Sequence, residues 1–72
     1  MTKKKAFPLR YNEIIDRWMI DDYGLHCGDC FSIKIYGKRE PVRIEMTRAG
    51  EWYLDYDDYM IFGFNGRLAT FD

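Results

Sequence analysis

Apolar and polar side chains alternate through the middle of this chain. Phe31, Ile33 and Ile35 alternate with Ser32 and Lys34, and Val42, Ile44 and Met46 with Arg43 and Glu45. Trp52, Leu54 and Tyr56 repeat the pattern against Tyr53 and Asp55. A period of two belongs to a strand with one buried face, so the stretch from Phe31 to Tyr56 is predicted to form a three-stranded antiparallel meander. Gly37 to Glu40 is the expected first turn. Arg48-Ala49-Gly50 fits a three-residue hairpin loop with glycine at its left-handed position. Setting Thr47 against Glu51 pairs Met46 with Trp52, Ile44 with Leu54 and Val42 with Tyr56 on one apolar face. Arg43 then lies beside Asp55 on the outer face. Across the first turn, pairing Phe31 with Met46 and Ile33 with Ile44 puts Lys34 opposite Arg43.

The flanks carry shorter signals. Leu9–Asn12 and Arg17–Asp21 read as two strands joined by a polar turn near Glu13. An amphipathic helix over Tyr11–Ile20 competes, because Tyr11, Ile14, Ile15 and Trp18 recur at helical spacing. The aromatic and branched run Arg17-Trp-Met-Ile20, closed by Asp21-Asp22-Tyr23-Gly24, favours strands. Gly63 and Gly66 break the tail before a last short strand over Arg67–Phe71. The expected fold is mainly β: a small bent antiparallel sheet, or partly open barrel, of five to six short strands. Residues 1–8 are expected to form a flexible basic leader and residues 9–72 a single small β domain.

With 72 residues, the chain sits near the lower limit for folding on its own core, where a disulfide, metal or partner often assists. Its 18% aromatic content supplies large buried areas from few residues. Net charge is −1, yet the charges come in blocks. Lys3, Lys4, Lys5 and Arg10 begin the chain, and acids dominate from Glu13 to Asp29. Lys34, Lys38, Arg39, Arg43 and Arg48 follow, and Glu51, Asp55, Asp57, Asp58 and Asp72 close it. A dominant basic footprint is absent, which counts against simple DNA binding. No apolar run approaches the roughly 20 residues that span a bilayer, and the basic start lacks the apolar region of a signal peptide. The expected compartment is therefore the cytoplasm, where two cysteines act as thiols or metal ligands rather than a permanent disulfide.

Reactive side chains crowd into Gly24-Leu-His-Cys-Gly-Asp-Cys30. Cys27 and Cys30 have the C-x₂-C spacing of a zinc knuckle, with His26 and one of Asp21, Asp22 or Asp29 as further ligands. Zinc is therefore the candidate cofactor, within one chain or bridging a dimer. Adjacent residues of extended chain point to opposite sides, so His26 and Cys27 reach one ion only across a turn, and the second C-x₂-C of a full ribbon is missing. A redox motif needs a helix after the first cysteine, and a strand follows here. A thiol-protease arrangement lacks a separate orienting group. The remaining reading is a Gly-Asp turn that feeds the strand at Phe31.

Trp52 to Tyr59 is acidic and rich in tyrosine. Glu51, Asp55, Asp57 and Asp58 offer negative charge, while Tyr53 and Tyr59 offer the rigid contact area that interfaces favour. The plainer reading is a solvated strand and turn bearing ordinary surface acids. Nothing in the spacing assembles a general base with an open catalytic site, so no enzyme is expected.

Arg17-Trp18-x-Ile20-x-Asp22, Leu25-His26-Cys27-Gly28-Asp29, Arg43-Ile44-Glu45 and Trp52-Tyr53-Leu54 resemble the motifs of a family of small uncharacterised proteins from Gram-positive bacteria, their phages and integrative elements. The resemblance spans residues 9–70 and implies a compact β domain in which Gly28 and Asp29 serve a recurring turn; Cys30 departs from the family pattern. It further implies a stoichiometric role against a host protein. The acidic, tyrosine-rich stretch is similar in character to anti-CRISPR proteins that occupy nucleic-acid-handling surfaces of Cas nucleases, so a Cas9-type nuclease is the expected partner. The alternative is a nucleic-acid-binding regulator using Lys34, Lys38, Arg39, Arg43 and Arg48 with Tyr36.

Overall fold

A computed structural model describes residues 5–71. The described residues are mainly β and contain no helix, so the helical alternative over Tyr11–Ile20 is not adopted. Nine short strands form: β1 (Phe7–Pro8), β2 (Arg10–Asn12), β3 (Arg17–Ile20), β4 (Tyr23–Gly24), β5 (Cys30–Ile35), β6 (Lys38–Met46), β7 (Trp52–Tyr56), β8 (Tyr59–Ile61) and β9 (Leu68–Thr70). They make two antiparallel sheets, one ordered β1-β9-β5-β6-β7-β8 and the other β2-β3-β4. The larger sheet stays open, with β1 and β8 at its edges. Phe7 and Pro8, from the expected leader, pair with Ala69 and Leu68, while Lys3 and Lys4 lie outside the described residues.

The β6–β7 hairpin has the predicted register, with Met46 against Trp52, Ile44 against Leu54 and Arg43 against Asp55. Its loop closes as expected: Thr47 N–H donates to the Glu51 carbonyl at 2.8 Å and Gly50 N–H to the Thr47 carbonyl at 3.0 Å. The β5–β6 register differs. Phe31 faces Val42 and Ile33 faces Glu40, a slip of four residues from the expected pairing. The cause is a tighter turn. Tyr36 (φ 50°) and Gly37 (φ 76°) are both left-handed, as a two-residue hairpin turn of the primed type requires. This register also puts Pro41 opposite Ser32, at a position where β5 asks for no N–H from it. An even slip keeps every side chain on its face, which is why alternation alone did not distinguish the two registers.

One face of the large sheet supplies Phe31, Ile33, Val42, Ile44, Leu54 and Ala69 to the core, joined by Leu9, Ile20, Leu25 and Phe64. The small sheet closes over it. Trp18 lies 4.5 Å from the Phe64 ring and 5.5 Å from that of Tyr11, centroid to centroid. Two backbone bonds at 2.8 Å, Leu9 N–H to Arg67 O and Gly66 N–H to Leu9 O, tie the first strands to the tail. At the β2–β3 turn Asn12 accepts from Ile14 N–H at 3.0 Å and Tyr11 donates to Asp16. Ile14 and Ile15 are left in solvent.

Candidate protein interaction surface

The acidic stretch becomes a hairpin. Asp57 (φ 48°) and Asp58 (φ 67°) are both left-handed and form a two-residue turn between Tyr56 and Tyr59, which pair directly. Aspartate tolerates this backbone better than most residues. The resulting β8 was not foreseen, and it brings Met60 and Phe62 to the surface. Tyr56-Asp-Asp-Tyr59, followed by Met-Ile-Phe, carried the hairpin signal.

Side-chain alternation divides this wing. Trp52, Leu54, Tyr56 and Ile61 face or pack on the core. Tyr53, Asp55, Met60 and Phe62 face outward, with the Tyr53 and Phe62 rings 5.8 Å apart. Tyr59 shares the inner side of β8 but is 70% exposed; Met60 is 53% and Phe62 48% exposed. In the alternating bond pattern of an antiparallel pair, Met60 sits at a non-hydrogen-bonded position. Its backbone groups therefore point away from β7, out of the sheet edge.

The predicted contact residues are partly gathered. Asp55, Asp57 and Asp58 lie together at one end of the wing. Glu51 lies at the other end of β7, five residues or roughly 15 Å away at strand rise. Asp55 is 3.0 Å from Arg43 Nη2, and Arg43 Nε is 2.8 Å from Glu45. This cross-strand ion pair was expected, and it partly neutralises Asp55. Among the described residues Asp57 and Asp58 have no cationic partner. Desolvation first, then the charges of Glu40 and Asp57, raises the Tyr56 phenol pKa above its ordinary value.

The heptad forms a turn with a bulge. Asp29 N–H donates to the His26 carbonyl at 3.0 Å, and Gly28 at the third position has φ 92°, the arrangement of a type II turn. Gly28 N–H donates to the Ile44 carbonyl at 2.7 Å while Ile44 N–H donates to the Asp29 carbonyl at 3.0 Å. Two residues thus oppose one, a bulge of the glycine-first kind. The Asp29 carboxylate accepts from His26 N–H at 2.9 Å and from the Tyr23 hydroxyl at 3.2 Å. That hydrogen bond, with the charge of Asp29, raises the Tyr23 phenol pKa above its ordinary value. Cys27 and Cys30 are exposed, free thiols. Among the described residues no three or more His, Cys, Asp or Glu side chains gather closely enough to hold an ion.

The candidate basic stripe is also divided. Arg43 is engaged by Glu45 and Asp55, and Arg48 sits in the distant β6–β7 loop. Lys34 and Arg39 are direct cross-strand neighbours. No helix among the described residues is long and apolar enough to cross a membrane.

The geometry thus defines a small open-sheet β domain with chemically distinct hairpin ends. Residues 8–69 match the sequence model of a domain of unknown function, DUF5348, and the chain belongs to that family. A crystal structure of a protein from Ruminococcus gnavus superposes with a TM-score of 0.74 at 30% identity, covering 94% of this chain and 99% of that one. No curated protein matches the chain.

Proposed function

We propose that this domain acts by binding rather than catalysis, docking its β7–β8 wing on a basic surface of another protein. The supporting observation is the edge strand β8. It carries exposed Met60 and Phe62 beside Tyr53, and its turn holds two acids with no cationic partner among the described residues. Edge strands of soluble proteins usually carry protective lysine, proline or inward charge; Tyr59-Met60-Ile61-Phe62 has none. Aromatic and methionine side chains supply the contact area, strand addition supplies backbone bonds, and the acids raise the on-rate. The narrower reading, a phage- or mobile-element inhibitor seated on a Cas9-type nuclease, draws on the similarity of character described above.

Affinity capture from a bacterial host lysate, with a purified Cas9–guide complex as a parallel arm, tests both levels. The wing should retain one dominant protein, less so at high salt. Met60→Lys should abolish capture, and Asp57→Asn with Asp58→Asn, which keep a residue suited to the left-handed turn, should weaken it about ten-fold or more, as loss of charge at a desolvated contact does. Retention by the host protein but not by Cas9 removes the narrower reading alone. Equal capture by wild type and all variants removes the proposal.

A further inference from the structure

At the edge of the large sheet opposite the β7–β8 wing, β1 and the tail leave a hollow against the β3–β4 turn. Phe7, Tyr23 and Phe71 give it three aromatic rings, and Asp21 and Asp22 two carboxylates, around buried Ile20; its volume is about 450 Å³. The rings are held in place. Tyr23 stands edge-on to Phe71, with 5.2 Å between centroids and 88° between planes, and Phe71 lies 6.4 Å from the core ring of Phe31. The Tyr23 hydroxyl is anchored to Asp29 at 3.2 Å. Tyr23 and Phe71 nevertheless remain 43% and 39% exposed, so ordered ring surface stays open to solvent.

The acids come from the turn. Ile20 and Tyr23 pair directly, which leaves Asp21 and Asp22 as a two-residue loop, with Asp21 left-handed at φ 55°. Both are exposed, and among the described residues neither has a cationic partner. Lys5 also lines the hollow but forms no ion pair with either. The Thr70 hydroxyl is buried and donates to the Phe71 carbonyl at 3.3 Å, so it is not offered to a ligand. Carboxylates beside electron-rich ring faces repel an anion and attract a cation. An apolar ligand would make no use of the acids, and a bare ammonium ion none of the apolar wall. A lysine or arginine side chain uses both, because its stem covers apolar surface while its charged head reaches the carboxylates.

We infer that this hollow binds a basic side chain of another polypeptide, with its charge at Asp21 and Asp22 and its stem against Phe7, Tyr23 and Phe71. β1 and β8 are opposite edges of one sheet, so the site is separate from the wing and neither proposal requires the other. A single, partly exposed side chain binds weakly and with strong dependence on salt.

NMR titration of the isotope-labelled full chain with acetyl-Gly-Arg-Gly-amide and acetyl-Gly-Lys-Gly-amide reads such contacts residue by residue. The ring protons of Tyr23 and Phe71 and the amides of Asp21 and Asp22 should shift together, and by less as salt is added. The lysine peptide acetylated at Nζ, which keeps the stem and loses the charge, should leave them unmoved. Asp21→Asn with Asp22→Asn should weaken binding about five-fold, the upper range for exposed ion pairs. Asparagine suits the left-handed position, so the turn is kept and the loss is not one of fold. Phe71→Leu, apolar but without a π face, should weaken binding about two- to five-fold. Five results would overturn the inference: no shifts at low salt, an equal response to the acetylated peptide, unchanged affinity in the paired asparagine variant, shifts confined to the Asp57–Asp58 turn, or binding that appears only in Lys3→Ala with Lys4→Ala, where the chain's own lysines would be the competing occupant.

Discussion

Replacing Gly28 tests the heptad directly. Its φ of 92° is a conformation that L-residues rarely adopt, and an added Cβ would meet no atom within 4 Å. Steric conflict with neighbours is therefore absent, and the cost is local. A left-handed L-residue costs roughly 1–2 kcal/mol. The variant's stiffer unfolded chain offsets about 0.4–1 kcal/mol of that. Gly28→Ala should destabilise by about 1 kcal/mol, lowering Tm by roughly 4–8 °C for a domain of this size. Gly28→Asn should lose less, because asparagine visits this region more readily, and Gly28→Val more, because a β-branched residue resists it. The assay is thermal unfolding by circular dichroism, with and without a chelator. Equal Tm for the Asn and Val variants would refute the turn account. So would a loss in the Ala variant that appears only when zinc is present, because the heptad would then be acting as a metal site.

Other consequences follow from the same structure. Leu54 is fully buried, so Leu54→Ala should cost about 2–5 kcal/mol; with only about 3–5 kcal/mol expected for a domain this small, its urea unfolding midpoint should fall to near zero. A double-mutant cycle on Arg43→Ala and Asp55→Ala should give a coupling of about 0.2–1 kcal/mol that shrinks with added salt; salt-independent coupling would count against the ion pair. Cys27→Ser and Cys30→Ser should each change stability by no more than about 0.5 kcal/mol, and purified protein should hold less than about a tenth of an equivalent of zinc. Tyr23 donates to Asp29, so its neutral form is favoured in the fold. The stability it adds is present below the ordinary tyrosine pKa and disappears as pH rises through the raised value. Absorbance titration should show late titration of Tyr23 and Tyr56, of which only the Tyr23 step moves down in Asp29→Asn.

How much of this was legible depended on where the period-two signal was backed by a turn. Thr47 to Glu51 contained a recognisable loop, so the Arg43–Asp55 pair followed from counting. Tyr36-Gly37 did not look like a primed turn, because a tyrosine stood where asparagine is usual, and the β5–β6 register came out four residues away. Even spacing hid that difference, since both registers bury the same rings. Strand β8 escaped because Asp57 and Asp58 suggested charge before they suggested a turn. That oversight also missed Met60 and Phe62, the most exposed apolar side chains on the outer face of the wing. His26, Cys27 and Cys30 invited a metal, whereas Gly28 and Asp29 between them carried the backbone geometry. Tyr53 and Tyr59 are close in sequence yet lie on opposite faces, a separation that follows once the Tyr56–Tyr59 turn is known.

Hydrogen exchange on the captured complex tests the docking proposal most directly. In the free domain the Met60 amide points out of the sheet edge and should exchange fast. Bound to its protein partner, the segment from Tyr59 to Phe62 should slow by a hundred-fold or more (about 2.7 kcal/mol at a factor of ten per 1.36), while Tyr36 and Gly37 stay unchanged. Slowing confined to the Tyr36 hairpin, with β8 still exchanging as in the free chain, would contradict it.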